Sequence, residues 1–405
     1  MKKYVSKSFS ANGEDIILRL SAEAKKARAN DETVIDGTVG VLSDEHHRFS
    51  AIPALNKIMS EHIADHLSYA SARGSDSYRD AVLDWVLETY RADAEKNYLI
   101  PFSASLGGTG ACFLAFSSFL EKGDTVLLPD ILWNNFIGIA KRSGMKTDHY
   151  RLFNEKKCFD FSSLEQKIDR YIQKQNVLIV INDPCHNPSG YSLTDEEYER
   201  LLRLLNKKGT QGRITVLFDI AYLDWTEGAR DRIFSHLLTR KLEFLPLFAF
   251  SASKSFSLYG MRIGALFGFF SDKEEADSFL SACAQITREV YSSPNGPSCD
   301  SLAIALKNPT VRKQIQTTIR AHAEMLNRRG KILCDILNNL GIPYLPYKNG
   351  FFLTIETENA RQTAERLKTK GVYFIPVSDH LIRIALSSLN IDDIQKIGTV
   401  LQEKN

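Results

Sequence analysis

Short apolar runs alternate with helical patterns through the middle of the chain. Five runs of β-branched and other apolar residues are bounded by turn residues, at positions 125–128, 177–181, 214–218, 245–250 and 265–270. Runs of this length and composition are typical of buried strands. Because helical patterns lie between them, the alternation predicts βαβ units and a mostly parallel sheet.

A crossover helix is predicted to begin after Thr194. Thr194 is followed three residues later by Glu197, which is the spacing of an N-terminal capping box. Apolar residues then recur at helical spacing, at Tyr198, Leu201, Leu202 and Leu205.

The texture of the chain changes after Pro309. One long charged, amphipathic stretch continues to residue 338, and two short strand patterns follow at residues 351–355 and 382–386. We therefore expect an α/β protein with a large domain at residues 46–308, whose sheet lies between helices, and a smaller α+β domain. The smaller domain would contain residues 309–405, joined by an N-terminal arm and further segment at residues 1–45.

Composition and charge exclude several classes of protein. The chain has 51 Lys and Arg against 49 Asp and Glu, so no net field attracts nucleic acid or an anionic membrane. Its apolar runs are far shorter than the roughly 18 residues of a membrane-spanning helix, and residues 8–15 are polar where a signal peptide needs an apolar segment. The six cysteines include no Cys-x-x-Cys pair, which fits a reducing compartment without a zinc framework. We expect a cytoplasmic protein.

Polar residues follow three of the predicted strands. Asn187 lies in the segment after the second run, Asp219 and Tyr222 follow the third, and Ser251 and Lys254 follow the fourth. Ligands of open α/β sheets bind outside the carboxyl ends of the strands. The order of these residues therefore predicts that an amide, a carboxylate, a phenol and an amine converge.

Five motifs in this order resemble the class I aminotransferases, which use pyridoxal phosphate (PLP) and have the fold type I architecture. The resemblance covers nearly the whole chain. Its motifs are Asn-Pro-Ser-Gly from 187, Asp-x-Ala-Tyr from 219, Ser-x-Ser-Lys from 251 and Gly-x-Arg-x-Gly from 260, with Arg-x-x-Tyr-Ser-x-Pro from 288. The last of these, together with Cys-His-Asn-Pro from 185, resembles the aspartate and aromatic amino acid subgroup.

The resemblance implies roles at the cofactor ring. Lys254 would bind the cofactor aldehyde covalently and, once released by substrate, move a proton. Asp219 would pair with the pyridine nitrogen and keep it protonated. Tyr222 and Asn187 would donate hydrogen bonds to the ring 3′-oxygen, and Trp133 would stack on the ring.

The residues expected to bind the phosphate lie at a predicted helix start. Gly108 and Thr109 belong to a glycine-rich segment at residues 107–110, whose backbone amides would face an anion. The resemblance adds Ser251 and Arg262 to this group. It also implies that Tyr69 reaches the phosphate of the neighbouring subunit, so that the active unit is a homodimer.

Substrate recognition would depend on two arginines, because a guanidinium binds a carboxylate bidentately and keeps its charge. Arg383 matches the residue that binds the α-carboxylate. Arg288 matches the one that reaches across the dimer to the side-chain carboxylate of aspartate or glutamate. Gly40, Trp133 and Asn187 would complete the substrate site.

The implied activity is transfer of an amino group from an amino acid to a 2-oxo acid such as 2-oxoglutarate, by a ping-pong cycle through pyridoxamine phosphate. Aspartate or glutamate is the leading donor, and aromatic amino acids come next. A PLP-dependent lyase or decarboxylase would share Lys254 and Asp219, and a noncatalytic regulator that retains the fold is a further alternative.

The sequence departs from the subgroup at three positions. Phe136 stands where the subgroup usually has a histidine that supports the aspartate from behind, so the surroundings of Asp219 are expected to differ. Ser189 replaces the commoner threonine and Ala252 a frequent aromatic residue. These changes leave the order of substrate preference open.

Taken singly, the same residues have plainer interpretations. Asp219 and Asn187 could cap helices, and the glycines could form a tight turn. A dinucleotide fingerprint is disfavoured because Phe113 replaces its third glycine, and a serine acyl enzyme is disfavoured because Ser-x-x-Lys at 251–254 lacks its companion motifs. His62 and His66, with Asp65, are interpreted as a solvated helix face rather than a metal site, and no metal is expected.

Overall fold

A computed structural model describes residues 16–403, which form two compact units. The large unit contains residues 50–324, and the small unit contains residues 16–49 with residues 325–403. The α/β fold class predicted from the sequence is confirmed. The predicted domain limits, after residues 45 and 308, stay a prediction.

The strands and helices have the following bounds. In chain order the strands are β1 (Ile35–Asp36), β2 (Phe102–Leu106), β3 (Thr125–Pro129), β4 (Lys146–Tyr150), β5 (Val177–Asn182), β6 (Ile214–Asp219), β7 (Leu245–Ser251), β8 (Ile263–Gly268), β9 (Phe352–Glu356), β10 (Val372–Tyr373), β11 (Ile375–Pro376) and β12 (Leu381–Ala385). The α-helices are α1 (Ile16–Asn30), α2 (Pro53–His62), α3 (Asp76–Val86), α4 (Arg91–Asn97), α5 (Gly107–Phe119), α6 (Asn135–Arg142), α7 (Phe161–Tyr171), α8 (Asp195–Gly209), α9 (His236–Leu238), α10 (Ala252–Ser255), α11 (Lys273–Val290), α12 (Gly296–Lys307), α13 (Pro309–Leu340), α14 (Ala360–Thr369) and α15 (Ile391–Gln402). Short 3₁₀ turns include Ile63–His66.

In the part of the chain that the structure describes, the large unit is built on a seven-stranded sheet in the order β2-β8-β7-β6-β5-β3-β4. β3, β4, β5, β6 and β7 are mutually parallel, and β8 runs antiparallel to both of its neighbours. The mixed, mostly parallel sheet is the one predicted. The central strands β5 and β6 are buried at every position and mostly apolar because both faces of the sheet are covered there.

In the seven-stranded sheet, the sequence pattern missed two strands and misplaced the start of a third. β4 lies at one edge of the sheet and is mostly polar, and β2 contains two serines, so neither has a continuous apolar run. The predicted run at 265–270 is β8, which begins earlier, at Ile263, because Ile263 and Gly264 pair with β2. Strand pairing, which the pattern does not contain, fixed that boundary.

Helix α8 begins as predicted. The Thr194 side chain accepts a hydrogen bond from the Glu197 amide at 3.1 Å, and the Glu197 carboxylate accepts one from the Thr194 amide at 3.0 Å. Tyr198, Leu201 and Leu202 are buried on the sheet side of the helix. Both halves of the capping box are therefore present.

The small unit has its own antiparallel sheet. Within the described residues its strands lie in the order β11-β12-β9, and β1 pairs with β10 in a separate parallel ladder. β9 and β12 each lie within one residue of the predicted strands. The long amphipathic stretch is α13, and it continues two residues beyond the predicted end.

A buried arginine fastens the N-terminal segment of the small unit. The Arg329 side chain is fully buried and pairs with Glu45 at 2.8 Å. Its guanidinium also donates to the carbonyl oxygens of Ser43, at 3.0 Å, and Ser387, at 3.4 Å. The second oxygen of Glu45 accepts from the Ile391 amide at 2.9 Å. This network connects residues 43–45 to the segment that follows β12.

Among the described residues, none of the helices combines the length and apolar character that a bilayer-spanning segment needs. All six cysteines lie in this part of the chain, and none of them forms a disulfide. The cytoplasmic location stays a prediction.

The capping box gives a first test of the fold. Thr194→Ala removes the acceptor for the Glu197 amide, so we expect the free energy of unfolding to fall by about 1 kcal/mol in urea denaturation. Thr210→Ala, at the other end of α8, is the matched control and should change it by less than about 0.5 kcal/mol. Equal effects of both substitutions would contradict a specific role for the cap.

Candidate active site

Three parallel strands deliver polar residues to one edge of the large sheet. β5 ends at Asn182 and β6 ends at Asp219, and these two residues are paired in the sheet register. β7, the next strand, ends at Ser251. The carboxyl ends of β5, β6 and β7 therefore lie side by side, as the sequence predicted for a ligand site.

Asn182 connects two of these strand ends, a role that the sequence analysis missed. Its side-chain amide donates to the Asp219 carbonyl at 3.2 Å, and its side-chain oxygen accepts from the Asn187 amide at 2.8 Å. Both groups belong to a buried residue. Asn182 thus fixes the segment that carries Asn187 against the end of β6. An asparagine at the end of an apolar strand was the available signal.

The Asp219 carboxylate is buried, with 7% of the residue exposed. Burial raises the pKa of this carboxyl to about 6, while the Ala221 amide, which donates to it at 3.2 Å, and the charge of Lys254 act in the opposite direction. The pKa of the Cys112 thiol on α5 is raised by burial and then by the Asp219 charge. The buried Asp219 carboxylate thus interacts electrostatically with Cys112 and Lys254, and a cationic ligand atom beside it would stabilise it further.

Lys254 lies on α10, the single helical turn directly after β7. Its Nζ atom is 5.8 Å from the centre of the Tyr222 ring and 5.0 Å from the centre of the Tyr259 ring. Tyr222 is buried, whereas Lys254 is half-buried. The amine is therefore held among aromatic faces at the strand edge, and Tyr259 is a neighbour that the motif did not indicate.

Asn187 lies in a fully buried segment after β5. Next to it, His186 forms a 2.9 Å hydrogen bond between Nδ1 and the Ser189 hydroxyl. Burial lowers the pKa of His186 to about 4, so the imidazole is neutral at physiological pH. His186 and Ser189 thus support the conformation of the segment without adding charge to the site.

A cradle forms where α5 begins, from Gly107, Gly108, Ser251, Ser253 and Arg262. A Cβ on Gly107, whose φ is +68°, would lie 2.6 Å from Nη2 of Arg262, and one on Gly108 would lie 3.2 Å from Cβ of Ser251. The Arg262 Nη1 donates to the Tyr259 carbonyl at 2.9 Å and to the Ser253 hydroxyl at 3.4 Å. Amides, hydroxyls and a guanidinium therefore face the same small space.

Close backbone packing brings the first turn of α5 into this place. A Cβ on Gly264 of β8 would lie only 2.4 Å from the carbonyl carbon of Gly107, so a larger residue would displace the turn. Thr109 is half-buried in the same turn. The N-terminus of this 13-residue helix, with its free amides and positive dipole end, suits an anion of phosphate size.

Trp133 and Phe136 pack together beside α6. Their rings meet edge to face, with centroids 5.2 Å apart, and Phe136 is 1% exposed. Phe136 shares its apolar cluster with Cys112, whereas Trp133 is partly buried against that cluster. Phe136 thus packs among apolar side chains, and its phenyl ring cannot form a hydrogen bond with Asp219.

Arg383 and Gly40 belong to the small unit. Arg383 lies on β12, is 4% exposed and donates from Nη2 to the Thr38 carbonyl at 2.7 Å. Its guanidinium also lies 4.4 Å from the centre of the Phe352 ring. Gly40 is buried in the irregular segment after β1. Thr38 and Phe352, which the sequence analysis did not single out, therefore orient the Arg383 guanidinium.

Tyr69 and Arg288 are surface residues of the large unit. Tyr69 is 88% exposed. Arg288, in the last turn of α11, is exposed and donates to the Ser292 hydroxyl at 2.8 Å. The large unit thus groups Asn187, Asp219 and Lys254 at the sheet edge, whereas Tyr69 and Arg288 present their side chains to solvent.

Curated relatives are aminotransferases. The chain is 25% identical over 345 residues to an aromatic-amino-acid aminotransferase of Paracoccus denitrificans, covering 83% of each chain. It is also 25% identical over 377 residues to an aspartate aminotransferase of Pseudomonas aeruginosa, covering 89% of each chain.

Solved structures agree with these relatives. An aminotransferase from Anaerococcus prevotii matches with a TM-score of 0.91 and 28% identity over 99% of both chains. An aromatic-amino-acid aminotransferase of Burkholderia pseudomallei, described as covalently bound to pyridoxal phosphate, has the same fold, with a TM-score of 0.82 and 22% identity over 98% of both chains. The resemblance drawn from the motifs is confirmed. Because the family model for aminotransferase class I and II matches residues 33–400, the chain belongs to that family.

Proposed function

We propose that this aminotransferase uses pyridoxal phosphate to move an amino group to a 2-oxo acid such as 2-oxoglutarate, by a ping-pong cycle. Aspartate or glutamate is the leading amino donor, and aromatic amino acids come next. The observation that carries the proposal is the grouping of the Lys254 amine, the buried Asp219 carboxylate and the cradle around neighbouring strand ends. The names of the relatives, which include both donor classes, support the choice.

The residues at this edge fit pyridoxal phosphate. The cradle would hold the phosphate, since side chains at 107 and 108 would fill the space beside Arg262 and Ser251. Asp219 would hold the pyridine nitrogen, Lys254 would bind the aldehyde carbon, and Trp133 would cover the ring. When bound, this cofactor supplies an electron sink that allows the Cα–H bond of an amino acid to break.

Asp219 would select the protonated form of the pyridine nitrogen. Burial disfavours the charged carboxylate by more than the Ala221 amide and the Lys254 charge favour it, which is why its pKa is raised to about 6. A positively charged N–H directed at it would remove that penalty and favour ionisation of the carboxylate. The unfavourable burial of the Asp219 charge in the cofactor-free protein would therefore favour binding of a ring whose nitrogen is protonated.

Lys254, Tyr222 and Asn187 would act on protons and polar atoms around the ring. We assign to Nζ of Lys254 the removal of the proton from the substrate Cα, because it is the amine at this edge and is only half-buried. Tyr222 and Asn187 would donate hydrogen bonds to the 3′-oxygen of the ring. Asn182 would keep the Asn187 segment in place for this contact.

Recognition of substrate would depend on two arginines. Arg383 would bind the α-carboxylate, with its guanidinium oriented by Phe352 and by the Thr38 carbonyl, and Gly40 would line the site. Arg288 would bind a side-chain carboxylate. Arg288 is exposed, so it is available to reach a site on another molecule.

We also propose a homodimer with shared active sites. Tyr69 is 88% exposed and would bind the cofactor phosphate of the neighbouring subunit. A tyrosine that exposed gains little from its own chain, so a second copy gives it a role.

The covalent role of Lys254 is tested by Lys254→Ala. We expect turnover to fall to less than about a hundredth of the wild-type rate, because both the covalent attachment and the proton carrier are lost, while pyridoxal phosphate still binds noncovalently. Steady-state assays with aspartate and 2-oxoglutarate give the rate, and borohydride labelling followed by peptide mapping locates the attachment. Lys273→Ala, an exposed lysine of α11, should leave both unchanged. Labelling at any other lysine would refute the assignment.

Removal of the Asp219 charge should stabilise the cofactor-free protein. The pKa of Asp219 is about 6 in the folded chain against an ordinary value of 3.8, so the folded state binds more protons between these values and wild-type stability falls as pH rises through this window. Asp219→Asn should therefore be more stable than wild type at pH 7, with a free energy of unfolding in urea denaturation that is higher by up to about 3 kcal/mol. This difference should disappear below about pH 4. Parallel pH profiles of the two proteins would contradict the buried-charge argument, and Asp277→Asn on the surface is the control.

The role of Arg288 is tested by Arg288→Ala with two donors. We expect kcat/KM for aspartate to fall about 30-fold or more, because a charged hydrogen-bond partner of the substrate is lost, and that for phenylalanine to change less than about threefold. Arg203→Ala, an exposed arginine of α8, is the matched control. Equal losses for both donors would mean that Arg288 does not bind the side-chain carboxylate.

Release of ammonia or carbon dioxide by wild type would instead indicate a lyase or decarboxylase.

A further inference from the structure

The loop at residues 67–74, here called the Tyr69 loop, connects the 3₁₀ turn Ile63–His66 to α3. Leu67 and Tyr69 in this loop are 77% and 88% exposed. Side chains that exposed contribute little to holding the backbone, so a defined loop needs contacts from behind.

One carboxylate bridges the two ends of the Tyr69 loop. Asp300 lies on α12, and its Oδ1 accepts a hydrogen bond from the hydroxyl of Ser75, the residue that follows the loop. Its Oδ2 lies 3.6 Å from Nδ1 of His66, the residue that precedes the loop. Asp300 thus connects both ends to the same helix, and it is 22% exposed at its side chain, where such pairs are only partly screened.

The Tyr69 loop also packs against α12 and β2. A Cβ on Gly296, the first residue of α12, would lie 2.6 Å from Cβ of Ala70, so the loop touches the helix at this glycine. The Arg73 carbonyl accepts from the Ala104 amide of β2 at 2.9 Å. The loop is therefore seated between α12 and β2, the strand that leads into the cradle.

His62 and His66, which the sequence analysis interpreted as a solvated helix face rather than a metal site, contact separate carboxylates. His62 pairs with Asp65 at 3.0 Å, whereas His66 is directed to Asp300. The two imidazoles therefore have different carboxylate partners, and His66 takes part in holding the loop.

We infer that Asp300 is a positioning residue, which holds the Tyr69 loop so that the phenol is presented to the cofactor phosphate of a second subunit. The inference rests on the proposed function, which assigns Tyr69 to that phosphate. Asp300 touches neither cofactor nor substrate in this scheme. It acts through the ends of the loop.

The test compares binding of pyridoxal phosphate with binding of pyridoxal, which lacks the phosphate, to full-length dimeric protein. Asp300→Ala should weaken pyridoxal phosphate about tenfold, the loss expected for a charge-assisted hydrogen bond, and change pyridoxal by less than about twofold. Tyr69→Phe should likewise weaken binding of pyridoxal phosphate but not of pyridoxal. The double variant should bind pyridoxal phosphate about as tightly as the weaker-binding single variant. Asp300→Asn, which keeps an acceptor for Ser75, should fall between wild type and Asp300→Ala. Asp277→Asn is the control. Dissociation constants come from the absorbance of the bound vitamer.

Equal losses for pyridoxal and pyridoxal phosphate, or additive losses in the double variant, would overturn the inference. Amide hydrogen exchange on cofactor-free protein is an independent measurement: Asp300→Ala should speed exchange in residues 67–74 and leave α8 unchanged. Unchanged exchange in the loop would also overturn the inference. Failure of wild type to bind pyridoxal phosphate would overturn the proposed function, and the exchange measurement would still report whether Asp300 holds the loop.

Discussion

The site depends on one electrostatic constraint, the burial of the Asp219 carboxylate at the end of β6. Its pKa is raised because the charged form has lost water and receives one amide hydrogen bond and the charge of Lys254 in return. Such a group favours a cationic partner at a fixed position. The strands and helices around Asp219 place the other polar groups of the site, such as Lys254 and Asn187, near the same edge of the sheet.

The sheet topology and close packing together supply this placement. Because β5, β6 and β7 are parallel neighbours, residues separated by more than 30 positions in the chain meet at one edge. Asn182 then locks the Asn187 segment to β6. The contact of Gly264 with Gly107 brings the positive end of α5 beside Arg262, which turns a helix start into an anion cradle.

Two further sets of contacts lie behind Asp219 and at the surface of the large unit. Phe136 packs against Trp133, while the Ala221 amide donates to the Asp219 carboxylate and the Asn182 side chain donates to the Asp219 main-chain carbonyl. At the surface, Tyr69 extends from a loop whose two ends are held by Asp300. The Ala221 contact lowers the pKa of the Asp219 carboxyl against the effect of burial, and the Asp300 contacts join both ends of a loop whose Tyr69 side chain is exposed.

Reading along the chain was enough to predict the apolar strands, the start of α8, the long α13 and the family, from the order of its motifs. These are local signals, set by side-chain periodicity and capping, or by residue types that one chemistry requires. Tertiary structure alone decided β2, β4 and the start of β8, because pairing partners rather than apolar runs define them. It also decided the roles of Asn182, Phe352 and Asp300, since each contacts a residue distant in the chain. The motifs predicted which strand ends meet, but side-chain periodicity does not specify the individual hydrogen bonds between distant residues.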